Sequence, residues 1–253
     1  MQDLFDLTGK TAVVTGAGRG IGEGIATLLA EAGANVVCAA RSTDQIEQTA
    51  KNINASNSAG RAITQATDVS NRDAMLALAQ RAVDEFGQLD IWVNNAGGSL
   101  VSAPMAELDP AEWDKTIAVN LSSIFYSVQA AVPHLGDKSA IVNISSLAGL
   151  EPFPGSAHYS AAKAGVNMMT KTLSMELGPK TRVNTIMPGF VPTDTVKKAL
   201  NMSDEDFGPL LEQLQLPAGR LGTPRDIAGL VLYLVAPASE WITGQSIAMS
   251  GKP

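Results

Sequence analysis

Tyr159 and Lys163 stand four residues apart in the stretch HYSAAKAG, in a chain with only three tyrosines. On a helix that spacing puts two side chains on one face, with their polar ends close together. A phenol with a pKa near ~10 is a poor proton donor or acceptor at neutral pH, and a neighbouring ammonium favours the phenolate and draws that value down. The pair is therefore either a tuned acid or a surface pair. A second feature is TGAGRGIG at 15–22, where Gly16, Gly20 and Gly22 let the backbone turn tightly and approach a pyrophosphate at a helix N-terminus. Further along, Ala39-Ala40-Arg41-Ser42 lacks the carboxylate that would hold a ribose 2′-hydroxyl. Arg41, with Arg19 inside the glycine run, instead offers guanidinium groups suited to a 2′-phosphate. This end of the sequence predicts a dinucleotide site that prefers NADP(H), with NAD(H) possible.

Such residues need elements to position them. TAVVT at 11–15 is a β-branched run ending in glycines, and IGEGIATLLAEAG after it repeats its apolar residues at helical spacing. The alternation continues with strand NVVCAA, a helix near 43–55, strand RAITQA, a helix at 71–86 and strand LDIWV. A long helix near 111–133, strand SAIVNI, the helix carrying Tyr159, strand RVNTIM, a helix at 224–235 and strand QSIAM complete it. Apolar strands alternating with helices predict an α/β fold: a Rossmann-like doubly wound parallel sheet of about seven strands, with helices on both faces. The chain is read as a single domain over 1–253, with 1–188 mainly the cofactor-binding and catalytic core and 224–253 the final helix and strand. Residues 189–223 interrupt the rhythm with a connection much longer than the usual few residues. Leaving from the carboxyl end of a strand, where ligands sit in open α/β sheets, this segment is expected to be a substrate lid.

Composition narrows the partners. Hydrophobic residues make up 45% and charged residues 17%, as in a globular protein. A net charge of -7 argues against a nucleic-acid surface and offers no polybasic membrane anchor, so a small molecule and further copies of the chain are the expected partners. The one cysteine, Cys38, has no internal partner, and MQDLFDLTGK lacks the pattern of a signal peptide, which points to the cytoplasm. The apolar window AGLVLYLVA is far short of the ~20 residues that span a bilayer and reads as a core helix. Two distant histidines and one cysteine make no zinc cluster, so no metal is expected.

TGAGRGIG, NNAG at 94–97, NISSLAG at 143–149, YSAAK at 159–163 and PGFVPT at 188–193, in this order, closely resemble the classical short-chain dehydrogenase/reductases over nearly the whole chain. The resemblance implies a catalytic set of Asn120, Ser146, Tyr159 and Lys163. Tyr159 exchanges the proton, Lys163 lowers its pKa and holds the nicotinamide ribose, Ser146 polarises the carbonyl, and Asn120 helps to position a water. It resolves the opening pair as a tuned acid, and it treats Ser145 as structural. For the cofactor it implies Gly16, Gly18, Arg19, Gly20, Ile21, Gly22, Arg41 and Ser42, then Asp68 and Val69 at the adenine. Asn94, Ala96 and Gly97 lie beneath the ribose, and Pro188, Gly189, Val191 and Thr193 lie at the nicotinamide. Asp68 has a second reading as a helix N-cap. His158 is not expected to be a second acid, because adjacent helical residues point about 100° apart.

The activity implied is interconversion of a ketone and a secondary alcohol, ranked first as a carbonyl reductase for an apolar substrate. Leu100, Leu147, Leu150, Phe153, Phe190, Met202, Phe207 and Leu211 are its expected pocket residues. A 3-oxoacyl thioester reductase and a hydroxysteroid dehydrogenase are the alternatives, with Lys171, Lys180 and Arg182 as the basic residues open to a carrier protein. A non-catalytic dinucleotide sensor is the rival from another class. A homotetramer is expected, with a dimer as the alternative.

Overall fold

The computed structural model describes residues 4–99, 101–194, 196–197 and 203–252. Leu100 and Met202, and part of the segment 189–223, lie outside them. Seven strands form one parallel sheet: β1 Thr11–Thr15, β2 Asn35–Ala40, β3 Ala62–Ala66, β4 Leu89–Asn94, β5 Leu135–Ile144, β6 Thr181–Pro188 and β7 Ser246–Met249, in the order β3-β2-β1-β4-β5-β6-β7. The order reverses direction between β1 and β4, and the crevice beyond their carboxyl ends is where such a sheet takes a ligand.

Alternate strand residues feed two separate cores, as the pleat requires. Ala12, Val14, Val36, Cys38, Val93 and Val142 pack under α1 (Gly20–Glu31), α2 (Thr43–Ala55) and α8 (Pro224–Val235). Val13, Val37, Trp92, Ile141 and Val183 face α3 (Arg72–Phe86), α5 (Ser123–Ala131) and α6 (Ala157–Leu177). Ile25, Leu29, Ile46, Leu78 and Trp92 are fully buried, and each such large apolar side chain contributes roughly 2 kcal/mol. Thr223 and Asp226 form a reciprocal capping box that starts α8 where the sequence places it.

Two expectations change. The helix predicted over 111–133 is α4 (Pro110–Ile117), a π-helical turn at Ala118–Ser122 and then α5. Its side-chain periodicity is helical throughout, so the altered hydrogen bonding leaves no mark in the sequence. Strand β5 begins at Leu135, four residues before SAIVNI, because Leu135 pairs with Leu89 across a register shift. In the long connection, a short helix α7 spans Phe207–Leu214, with Phe207 edge-on to Phe190 at 5.9 Å between ring centroids. Among the described residues no helix is long and apolar enough to cross a membrane.

Candidate active site

Beyond the carboxyl ends of β1 to β6 lies a cavity of about 580 Å³. Its floor is the turn between β1 and α1. Gly16 has φ +68°, and a Cβ there would stand 2.8 Å from Asn95 Nδ2. A Cβ on Gly22 would overlap the Gly16 carbonyl oxygen and Asn95 Nδ2. Asn95 staples this turn to the loop after β4, donating to the carbonyls of Thr15 at 2.8 Å and Gly16 at 3.3 Å. Gly16, Gly18, Arg19, Ile21 and Gly22 all line the cavity. Free N–H groups and the dipole at the start of α1 therefore face its interior. Gly20 does not line it; a Cβ there would meet Thr193 Cγ2 at 3.1 Å, so Gly20 serves the approach of the β6 loop and not the cavity wall.

At the ends of β2 and β3, Arg41, Ser42, Asp68 and Val69 line the same space. Burial pushes the Asp68 carboxyl up, but hydrogen bonds from Ser70 and the Arg41 charge outweigh it and hold the group below its ordinary value. The carboxylate accepts from the Ser70 amide at 3.0 Å and hydroxyl at 2.7 Å. Asp68 is not the helix cap: Asn71 starts α3, accepting from the Ala74 amide.

Ser146, Tyr159 and Lys163 line the opposite end. Ser146 opens a 3₁₀ turn at Leu147–Gly149, its hydroxyl accepting from the Ala148 amide at 3.1 Å. Lys163 is buried, at 4% exposure, and its ammonium donates to the Ile144 carbonyl at 2.9 Å. Burial lowers it from 10.5 to about 8. Its nitrogen lies 5.6 Å from the centroid of the Tyr159 ring. The expected lowering of the Tyr159 phenol is not what the geometry gives. Packing of the phenol raises its pKa, and a hydrogen bond with Ser146 opposes the rise in part. The ammonium itself is engaged by the Ile144 carbonyl. Ser145 is buried and donates to the Lys163 carbonyl at 3.0 Å, fixing the strand end to the helix.

Asn120 does not reach the cavity wall. It is buried in the π turn, its Oδ1 accepting from the Gly98 amide at 2.9 Å and its Nδ2 donating to the carbonyls of Gly98 and Thr116. Both ends of its amide thus hold the loop after β4, where Ala96 and Gly97 line the cavity. Asn94 is likewise off the wall, accepting from Trp92 Nε1 and donating to Asn143 Oδ1, each at 2.8 Å. Pro188, Gly189, Val191 and Thr193 close the cavity from β6. His158 is buried and absent from the lining.

Sequence reasoning missed Gln45, Thr67, Ser70, Asn95, Gly98, Lys115 and Val119, all on the wall. For Asn95 the signal was present, since it is the second asparagine of NNAG. Of the expected substrate residues, Phe190 lines a smaller cleft of about 200 Å³ beside Val191, while Leu150 and Phe153 are exposed at 64% and 53%. Arg182, considered for a carrier surface, points inward and donates to the Leu234 carbonyl at 2.6 Å and to Ser239 Oγ at 3.1 Å.

Residues 16–251 match a family model described as enoyl-(acyl carrier protein) reductase. A 3-oxoacyl-(acyl-carrier-protein) reductase FabG of Chlamydia muridarum is 41% identical over 249 residues, covering 97% of each chain. A 3beta-hydroxysteroid dehydrogenase 1 of Eggerthella lenta is 36% identical over 251 residues, covering 97% of this chain and 94% of its own. Among solved structures, a 7 alpha-hydroxysteroid dehydrogenase complexed with NADH and 7-oxo glycochenodeoxycholic acid superposes with a TM-score of 0.89 at 32% identity, covering 99% of this chain and 96% of its own.

Proposed function

The chain belongs to the classical short-chain dehydrogenase/reductase family, which acts on CH–OH and C=O groups, and on that premise we propose that it reduces the 3-oxo group of an acyl thioester with NADPH. The observation that carries this reading is one cavity with Ser146, Tyr159 and Lys163 at one end and the glycine turn at the other. The turn suits a pyrophosphate, because Gly16, Gly18 and Gly22 bring bare backbone to the cavity wall at the start of α1, where free N–H groups favour an anion. Arg41, Ser42 and Arg19, with no carboxylate at the end of β2, support NADP(H) over NAD(H).

When bound, the nicotinamide supplies the hydride that adds to the carbonyl carbon. The Tyr159 hydroxyl gives its proton to the carbonyl oxygen, and the Ser146 hydroxyl donates a hydrogen bond to the same oxygen as charge grows there. A phenol held protonated suits the acid role of the reductive direction. Lys163 keeps a positive charge at this end below about pH 8 and steadies the strand end through Ile144. Asn120 acts one step back, holding the loop at Gly98. An apolar ketone ranked first on sequence; the named relatives support 3-oxoacyl thioesters and hydroxysteroids better.

Hydroxysteroids are the second reading, favoured by the inward turn of Arg182, which removes one of three basic residues from any carrier surface. The test is kcat/KM with NADPH for a 3-oxoacyl thioester, keto-steroids and simple ketones. A leading thioester supports the proposal, a leading steroid replaces it with the second reading, and a leading simple ketone restores the first ranking. NADPH binding without turnover of any of them sinks all three. A homotetramer belongs to the same proposal, supported by exposed Phe125, Met168 and Met175 on α5 and α6 and by Trp241, which is fully exposed.

A further inference from the structure

Resting on the acid–base reading above, we propose that Asn167 is a positioning residue that sets the distance between the Ser146 hydroxyl and the Tyr159 phenol. Asn167 follows Tyr159 and Lys163 on α6 at successive intervals of four residues, which puts the three on one stripe of the helix. Its Nδ2 donates to the Gly149 carbonyl at 3.2 Å and to Met187 Sδ at 3.3 Å. Gly149 ends the 3₁₀ turn that Ser146 begins. Met187, buried, precedes Pro188 and Gly189 on the cavity wall. One amide thus ties the serine turn and the β6 end to the helix that carries the tyrosine.

The turn rests directly on that helix: a Cβ on Gly149 would stand 2.7 Å from the Lys163 carbonyl carbon and 2.9 Å from the Ala164 nitrogen. Small movements of the turn therefore move Ser146 along α6, toward or away from Tyr159. The asparagine also carries a cost that its two donated bonds only offset. Its Oδ1 is buried without a hydrogen-bond partner, a penalty that an apolar side chain of similar volume avoids. Sites that break a local rule of this kind are where function is expected to override stability.

The test uses full-length protein with tyrosine labelled with carbon-13 at the ring carbon bearing the hydroxyl. The Tyr159 resonance is identified by its loss in Tyr159→Phe, and Ser146→Ala marks the shift that follows loss of the Ser146 hydrogen bond. Asn167→Leu is expected to move the resonance in the Ser146→Ala direction, with a melting temperature equal to or above wild type. Its kcat is expected to fall about tenfold or more while NADPH affinity changes less than about twofold, since small misplacement of reacting groups is costly. Asn167→Ala is the second variant should the leucine fail to fold. A Tyr159 resonance unmoved in the folded variant overturns the inference, whatever turnover does. A moved resonance in a protein that turns over no tested carbonyl upholds the positioning and sinks the proposed reaction.

Discussion

Lys163→Met is expected to make the protein more stable at neutral pH while destroying its activity. Burial lowers the Lys163 ammonium from 10.5 to about 8. Between those values the unfolded chain holds the proton and the folded chain does not, so the unfolded state binds more protons and stability rises with pH across the window. Below pH 8 the folded protein carries the full penalty of a buried charge, roughly 3 kcal/mol at 1.36 kcal/mol per pKa unit. Methionine removes that penalty and also removes the hydrogen bond to the Ile144 carbonyl, worth about 1 kcal/mol. The mutant should then be roughly 2 kcal/mol more stable than wild type at pH 7 and about equal to it near pH 10, where most of the penalty, though not all, has gone. Urea unfolding of both proteins at the two pH values measures this. A stability difference that is the same at both would refute the buried-charge reasoning, as would a wild type that is the more stable at pH 7.

Gly22→Ala places a methyl group into the Gly16 carbonyl and the Asn95 amide, so the turn must retreat by about 1 Å and NADPH affinity should fall on the order of 100-fold. Fluorescence titration reads this, and a loss under threefold contradicts so close a packing of the turn. Arg41→Asp replaces a guanidinium on the cavity wall with a carboxylate, and the ratio of kcat/KM for NADPH over NADH should drop by about tenfold or more, one charged contact being worth roughly 1.5–3 kcal/mol. An unchanged ratio would remove Arg41 from the 2′-phosphate. Met175→Glu together with Phe125→Glu, at 85% and 49% exposure, should lower the mass seen by light scattering at micromolar concentration. A wild type that is already a monomer ends the tetramer proposal.

The fold was legible because its signals are local. Buried parallel strands read as apolar runs, and Thr223-Pro224 with Asp226 announces α8 in three residues. That most residues expected at the cofactor would share one cavity was legible for the same reason: Gly16, Gly22, Arg41 and Asp68 sit next to strand ends, and strand ends make the crevice. What was missed depends on contacts between distant segments. Asn94 and Asn95 are neighbours in one motif, yet β4 turns the first into the core toward Asn143 and the second onto the glycine turn. Gly20 faces Thr193, which is 173 residues away, where Gly22 faces Gly16 and Asn95. The direction of the Tyr159 shift needed the packing around the phenol and its hydrogen bond with Ser146, and neither follows from a four-residue spacing. Lys180 and Arg182 look alike in sequence, but Arg182 is drawn inside by four acceptors at the end of α8 and beyond it.

The central claim is that the Tyr159 phenol is the proton donor at the catalytic end of a dinucleotide cavity. Its most direct measurement is NADPH oxidation by wild type and by Tyr159→Phe on the best carbonyl substrate, with NADPH affinity measured on both. A kcat lowered by about 100-fold or more with affinity nearly unchanged is the predicted result. A phenylalanine variant that turns over at the wild-type rate would contradict the account.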